Sequence, residues 1–147
     1  MNHVTLWNRE AFLRIKPRRE YPLFNEQVTM ARLADAIEAG GGPSIICERA
    51  TVPWGAAGLL PLGLHIAEAW AVTSRQMLRH VAFFTKACQD GLFHCASVHG
   101  YTMVRSQVRQ AWNPAVVWLE DMGFSKVGVE LNEHQIPIVQ MVWRYHV

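Results

Sequence analysis

The sequence predicts a protein of the α/β class (α+β mixed), in which helices flank a mixed central sheet within a single domain over residues 1–147. The chain has 147 residues, of which 50% are apolar and 18% are charged, and this composition is that of an ordinary globular core. Strand-like and helix-like segments follow one another in the order β, one or two helices, several β, α, β, α, β, β. One mixed sheet with helices on its faces accounts for that order.

The first half of the chain supplies a short strand, two helices and the first strands of the sheet. Residues 3–7 predict a strand and residues 8–15 a helix. A second helix follows, and a run of glycines ends it. Its apolar face recurs at helical spacing and consists of Met30, Leu33, Ala34 and Ile37. Further strands are predicted at residues 44–50 and within the turn-rich stretch 52–63. Residues 64–72 form a longer, mostly apolar strand, which is therefore predicted to be central in the sheet.

The next segments alternate between helix and strand. A helix is predicted over residues 75–90, followed by a strand over residues 92–99. The helix is closed by a glycine, and its apolar stripe consists of Met77, Val81, Phe84 and Cys88. Residues 100–112 are ambiguous, because their pattern fits a loop followed by a helical turn.

The helix predicted over residues 113–124 has the clearest boundaries in the chain. Asn113 is a good N-cap, Pro114 suits the first helical position, and Gly123 suits the C-terminal cap. The remaining residues predict two antiparallel strands joined near residues 132–134. The domain is therefore expected to end in a hairpin.

Charge and cysteine content exclude several classes of protein. The net charge is +2 and the pI about 8.6, which is too weakly basic to indicate a nucleic-acid partner, although it suits an anionic small ligand. The cysteines are odd in number and follow no metal or disulfide spacing, so reduced thiols in a cytoplasmic protein are expected. We expect no secretory signal and no membrane association, because the sequence has no long uninterrupted apolar stretch.

Two sequence stretches carry a resemblance to a known family. They are "AEAWAVTSRQMLRHVAFF", a strand followed by a helix, and "NPAVVWLEDMGF", a helix ending in Gly-Phe. With the element order, they resemble the GCN5-related N-acetyltransferase (GNAT) superfamily over most of the chain, most firmly over residues 64–124. The resemblance implies a mixed, mostly antiparallel sheet and acetyl-CoA as co-substrate, with no metal. The "VTS" turn and the "WLxxxGF" ending also resemble a divergent phage branch that includes internal virion proteins of short-tailed phages.

The turn after the central strand departs from the family pattern. The family has Arg/Gln-x-x-Gly-x-Gly/Ala there, and its glycines allow the backbone to approach the pyrophosphate closely at a helix N-terminus. In this sequence no glycine occurs between Val72 and Asp90, and Thr73 with Gln76 matches a capping box. Such a cap competes with a phosphate for the same N–H groups. The turn is therefore either an acyl-CoA turn of unusual form or a plain capped helix.

The resemblance also implies which residues bind the co-substrate. Arg75, or Arg79 one turn later, is expected to supply the charge that compensates for the missing glycines. Asn113 matches a family position that contacts the pantetheine arm, although N-capping explains this residue equally well. The expected binding set is Ala71, Val72, Thr73, Ser74, Arg75, Gln76, Met77 and Asn113.

Acetyl transfer to an amine needs a base and a proton donor for the leaving thiolate. Glu68 lies on the apolar strand, where a carboxylate is costly unless it is paired, so it is the candidate base, unless it faces solvent or pairs with an arginine such as Arg105. The family's tyrosine in the last helix is absent, because Trp118 and Leu119 stand near its place. Tyr101 is the nearest alternative acid.

Two functions from different classes follow. The first is an N-acetyltransferase that transfers an acetyl group from acetyl-CoA to an amine of a small molecule or a protein. The second is a catalytically inactive GNAT-fold protein that serves as a phage structural (internal virion) or host-interaction module. Under either function, we expect the protein to be cytoplasmic, in the host cytoplasm or the virion if a phage encodes it. A protein partner from a virion or host and a homodimer both stay open. A metal site at His94, Cys95 and His99 is disfavoured, because adjacent strand residues point to opposite faces.

Overall fold

The computed structural model describes residues 1–18 and 29–145. In the first part of the chain, the elements are β1 (Asn2–Leu6), α1 (Arg9–Arg14), α2 (Met30–Gly40), β2 (Ser44–Arg49), β3 (Val52–Pro61) and β4 (Ile66–Thr73). They are followed by a 3-10 helix (Arg75–Arg79), α3 (Val81–His99), β5 (Met103–Arg109), α4 (Asn113–Asp121), β6 (Ser125–Leu131) and β7 (Pro137–Arg144).

The strands form one seven-stranded sheet in the order β1-β2-β3-β4-β5-β7-β6. Among the strands of the described residues, only β4 and β5 run parallel, and every other neighbouring pair is antiparallel. The predicted mixed, mostly antiparallel sheet flanked by helices is therefore confirmed. Because side chains alternate along a strand, Val72 and Ala67 of β4 lie on opposite faces. Val72 packs with α1 and α2, whereas Ala67 packs with α3 and α4, so two helices cover each face.

The stretch 52–63, which looked rich in turns, is largely a ten-residue strand. Its glycine at position 58 packs against neighbours and does not break the strand. A Cβ there would lie 2.6 Å from Ser44 Oγ and 2.8 Å from Trp70 Cζ2. Gly58 is thus required by the close approach of the Trp70 ring across β3 and β4, where the two residues are register partners.

The strand predicted over residues 92–99 is wrong, because α3 continues through Gly91 to His99. Leu92 and Ala96 are buried and extend the stripe of Phe84 at intervals of four residues, which is helical spacing. That burial offsets the cost of about 1 kcal/mol that a glycine imposes on a helix interior. The ambiguous segment 100–112 instead contains β5.

In β5, the residues Val104, Ser106 and Val108 are buried in alternation, as expected of a strand with one covered face. The helix predicted at 113–124 and the terminal hairpin are present as α4, β6 and β7. Asn113 is not the N-cap of α4, however. That position is taken by Trp112, with no side-chain capping bond, and Asn113 is the first helical residue with an exposed side chain.

Candidate functional site

The two parallel strands at the centre of the sheet separate from each other. β4 and β5 are in register only at their first residues, where Glu68 faces Arg105 in the last pair. β4 then continues to Thr73 and β5 to Arg109 without further pairing between them. We call the space between the two strands beyond this pair the β4–β5 split. It opens toward the C-terminal ends of both strands.

The main chain of β4 presents polar groups to the split at every second residue. Ser74 N donates to Trp54 O of β3 at 2.9 Å, so this residue directs its N–H away from the split. Because consecutive residues of a strand point their N–H and C=O groups to opposite sides, Ala69, Ala71 and Thr73 direct theirs toward the split. The side chains of Ala69 and Ala71 are small, so they leave room beside this row of groups.

Glu68 lies at the closed end of the β4–β5 split. Its side chain is half-buried and lies on the face that α1 and α2 cover, the same face as the side chains of Trp70 and Val72. Arg105 is its register neighbour but is exposed, and the two form no ion pair in the described part of the chain. Glu68 therefore has no ionic partner among the described residues.

The turn after β4 is capped, but not by the predicted residues. Thr73 is the last residue of β4 and is 1% exposed, so it does not begin the helix. Ser74 is the N-cap of the 3-10 helix, and its Oγ accepts from Gln76 N at 3.2 Å. The Thr73–Gln76 capping box is therefore wrong by one residue, because the strand extends one residue further than its apolar run suggests.

Most donors of this turn are already used within the chain. Ser74 N donates to Trp54 O, Gln76 N donates to Ser74 Oγ, and Met77 N donates to Ser74 O at 3.1 Å. Only Arg75 N has no such bond among the described residues. The helix that follows the turn is also shifted, since α3 begins at Val81 with no side-chain cap. The turn thus offers a phosphate fewer free N–H groups than a glycine-rich turn does.

The structure places Tyr101 and Asn113 at opposite ends of β5. Tyr101 precedes β5, is 5% exposed and packs on the His99 ring at 5.8 Å, and burial, with a smaller contribution from Cys95, raises its pKa. It lies beyond the closed end of the β4–β5 split. Asn113, by contrast, begins α4 just after the open end. These two candidates therefore do not share one location with Glu68.

The position that holds tyrosine in the family has a structural role here. Leu119 is buried, and Trp118 Nε1 donates to Thr85 Oγ1 at 2.7 Å while its ring stacks on Phe84 at 5.6 Å. These contacts tie α4 to α3. No hydroxyl of α4 is available to protonate a thiolate, because that helix contains no Ser, Thr or Tyr.

Arg18 is a residue at the site that the sequence did not indicate. Its main-chain N–H donates to Thr73 O at 3.2 Å, and its guanidinium lies 5.3 Å from the centre of the Trp112 ring. Thr73 ends β4, and Trp112 lies between β5 and α4, so Arg18 contacts both sides of the open end of the β4–β5 split. No local signal reveals this placement, because Arg18 is distant in sequence from both partners.

The geometry of the described residues supports neither a metal site nor a reactive thiol. Within residues 1–18 and 29–145, no three His, Cys, Asp or Glu side chains lie close enough to hold a metal ion. His94, Cys95 and His99 all lie on α3. Burial raises the pKa of Cys47 to about 12 and also raises the pKa of Cys95, so these thiols stay protonated at neutral pH. No helix in the described ranges is long and apolar enough to cross a membrane.

Comparison with solved structures decides which fold this is. An acetyltransferase of the GNAT family from Streptococcus pneumoniae superposes with a TM-score of 0.76 at 11% identity, covering 99% of this chain and 100% of its own. An N-acetyltransferase from Staphylococcus aureus Mu50 gives 0.77 at 11% identity, covering 98% and 97%. The chain has the GNAT fold.

Spermidine N-acetyltransferases also share the GNAT fold. A SpeG chimera from Vibrio cholerae and hSSAT has a TM-score of 0.72 at 14% identity, with 97% of this chain and 95% of that chain covered. No family model matches the sequence, and no curated protein matches it. The predicted resemblance to the GNAT superfamily is confirmed at the level of the fold.

Proposed function

We propose that this protein is an N-acetyltransferase that transfers an acetyl group from acetyl-CoA to an amine. The observation that carries the proposal is the β4–β5 split, with Glu68 at its closed end and the main-chain groups of Ala69 and Ala71 along one wall. An extended pantetheine arm carries amide groups that can pair with such a wall in the manner of an added strand. The thioester would then lie near Glu68.

The chemistry assigned to these residues is direct aminolysis. The amine nitrogen attacks the thioester carbonyl carbon, the C–N bond forms, and the C–S bond breaks to release the CoA thiolate. Glu68, directly or through a water molecule, accepts the proton that the amine loses. A β4 N–H, that of Ala69 or Ala71, donates to the oxyanion of the tetrahedral intermediate. Because α4 carries no hydroxyl, the thiolate takes its proton from water.

The proposal also covers the acceptor, the residues that hold the co-substrate, the location and the oligomeric state. The acceptor is an amine of a small molecule or a protein, and spermidine is the first acceptor to test, because structural neighbours are spermidine N-acetyltransferases. The co-substrate would be held by residues 71–77 and Asn113, with the turn contributing less than in a glycine-rich relative. The proposed location is the cytoplasm, and a homodimer is part of the proposal to be tested by sedimentation.

The first test is binding of acetyl-CoA measured by thermal unfolding. At about 100 times Kd, a ligand that binds only the folded chain stabilises it by roughly 2.7 kcal/mol. For a chain of this length that corresponds to a rise in Tm of about 5–10 °C. An unchanged Tm at millimolar acetyl-CoA would refute the enzymatic proposal.

The second test addresses the role of Glu68. In Glu68→Gln, we expect acetyl transfer to slow by roughly 10²- to 10⁴-fold, because the base is lost, while the Kd of acetyl-CoA changes little. The control is Glu130→Gln, which removes an exposed carboxylate on β6. Turnover by Glu68→Gln equal to that of the control would remove Glu68 from the mechanism.

A second function is favoured by a specific observation. Three of the four N–H groups from Ser74 to Met77 donate within the chain, and α4 lacks the family's tyrosine. Both features suit a GNAT-fold protein without catalysis, such as a phage structural (virion) or host-interaction module. This alternative predicts no Tm response to acetyl-CoA and stoichiometric recovery of a protein partner from virions or host lysate.

A further inference from the structure

The outer side of β6 is an exposed edge of the sheet. Within the described ranges, β6 lies at the end of the strand order and pairs with β7 alone. Its alternate residues Val127, Val129 and Leu131 are apolar and have exposed fractions of 61%, 42% and 59%. An edge strand with exposed apolar side chains is a template for pairing with another chain. The edge of β6 is therefore a candidate interaction surface.

The main-chain groups of β6 determine which of its residues a further strand can pair with. Asn132 N donates to Ile136 O at 3.0 Å, so the groups of position 132 face β7. Consecutive residues of a strand direct their N–H and C=O groups to opposite sides, so Leu131 and Val129 direct theirs away from β7. The outward main-chain groups and the exposed apolar side chains thus belong to the same residues.

The stretch that can pair begins at Val127. The register of β6 against β7 shifts between Lys126 and Gly128, which marks a β-bulge. A bulge and an edge lysine are two features by which edge strands prevent pairing, so Lys126 and the residue before it are unsuited to it. The available stretch is therefore residues 127–131, and its centre is Val129.

A second copy of this stretch is complementary to it. A two-fold axis at Val129 gives an antiparallel pair in which Val129 faces Val129 of the second copy and Val127 faces Leu131 of the second copy. The outward groups of these residues then form about six hydrogen bonds between the copies. Apolar side chains meet on one face of the pair. On the other face, Glu130 lies opposite Gly128 of the second copy, so no like charges lie directly opposite each other.

We propose that two copies of this chain associate through antiparallel pairing of their β6 strands about a two-fold axis at Val129, which joins the two sheets into one. This inference names the interface of the homodimer in the proposed function, on which it rests, and it is independent of the transfer chemistry. A two-fold contact of one surface with itself closes, so assembly stops at the dimer. Since β7 and β5 separate β6 from the β4–β5 split, the split of each copy stays accessible.

Cross-linking of single introduced cysteines tests the register. Facing residues of a hydrogen-bonded antiparallel pair have Cα atoms about 5.5 Å apart, which suits a disulfide. Under mild oxidation, Val129→Cys should therefore form a covalent dimer on a non-reducing gel. The matched control is Val127→Cys, which lies on the same strand but faces Leu131 of the second copy and should not link to itself. The wild type, with three native cysteines, sets the background.

Sedimentation velocity of the full chain without acetyl-CoA tests the interface. The wild type should sediment as a dimer, and Val129→Lys should raise the dimer Kd by roughly 10- to 100-fold, because two lysines then face each other at the axis. The matched control is Val4→Lys, which changes a valine of the other edge strand, β1, that is 44% exposed and should stay dimeric. Circular dichroism should be unchanged in both variants, because both side chains are exposed at sheet edges.

Three results would overturn the inference. A wild type that sediments as a monomer would overturn it together with the homodimer and would leave β6 to pair with a strand of another protein. A dimer that survives Val129→Lys, or equal linking of Val127→Cys and Val129→Cys, would place the contact elsewhere and overturn this interface alone. Species larger than a dimer would overturn it as well. Binding of acetyl-CoA, measured separately by thermal unfolding, decides the transferase proposal.

Discussion

The cap at Ser74 controls how many N–H groups the turn offers to a ligand. Ser74 Oγ accepts from Gln76 N at 3.2 Å, and this is the side-chain cap of the 3-10 helix. In Ser74→Ala the bond is lost, which costs about 1 kcal/mol, as for other N-caps. The expected fall in Tm is roughly 2–4 °C for a chain of this length. In Ser74→Gly the cost is only a few tenths of a kcal/mol, because glycine is itself tolerated at N-caps.

The two variants separate stability from binding. Both release Gln76 N–H, and Ser74→Gly also removes the whole side chain, so that a ligand can approach the backbone more closely. A new hydrogen bond to a charged group contributes roughly 1.5–3 kcal/mol, so CoA should bind Ser74→Gly about 10- to 100-fold more tightly. The assays are thermal unfolding without ligand and calorimetric titration with CoA.

The control for these variants is Ser97→Ala, which alters an exposed serine of α3 and should change stability by less than about 0.5 kcal/mol. A Tm of Ser74→Ala equal to that of the control would show that the cap contributes nothing. CoA affinity that is unchanged in Ser74→Gly would show that Gln76 N–H does not face the phosphates, and the competition between cap and ligand would then be refuted.

Two further predictions concern packing and thiol protection. In Gly58→Ala, a Cβ placed 2.7 Å from Pro43 O forces β2 and β3 apart, and urea unfolding should show a loss of about 1–3 kcal/mol, whereas the control Gly63→Ala, with nothing within 4 Å, should be nearly neutral. Equal stability of the two variants would contradict the close packing. Because burial raises the pKa of Cys47 to about 12, iodoacetamide at pH 8 should modify it only after unfolding. Mass spectrometry that finds Cys47 modified as fast as the half-buried Cys95 in the folded chain would contradict that assignment.

The sequence pattern predicted those elements whose boundaries are set by residues close in sequence. The central strand β4, the helix α4 and the terminal hairpin lie close to where apolar runs, Pro114 and Gly123 placed them. The strand prediction for residues 92–99 is wrong because Gly91 signals a helix end locally, although Leu92 and Ala96 continue the helical stripe. Tertiary burial overrode the local signal there. β3 was obscured for a related reason, since its glycines and prolines signal turns locally.

Less of the candidate site than of the fold could be predicted from the sequence. The resemblance names Glu68 as the candidate base, and this role stays a prediction for the Glu68→Gln experiment. The identity of the cap depends on where β4 ends, and strand ends are set by partners such as Trp54 that pattern does not reveal. The position of Arg18 could not be predicted for the same reason, because its contacts with Thr73 and Trp112 join segments that are distant in sequence.

The two candidate functions differ most clearly in how they explain the capped turn. In a working transferase, the cap at Ser74 withholds the Gln76 N–H group from the phosphates of the acyl donor, so Ser74→Gly should bind CoA more tightly than the wild type. In a protein without catalysis, the cap only stabilises the 3-10 helix, and Ser74→Gly should be as unresponsive to CoA as the wild type. The CoA affinity of this variant therefore distinguishes a capped binding site from a turn that has no ligand.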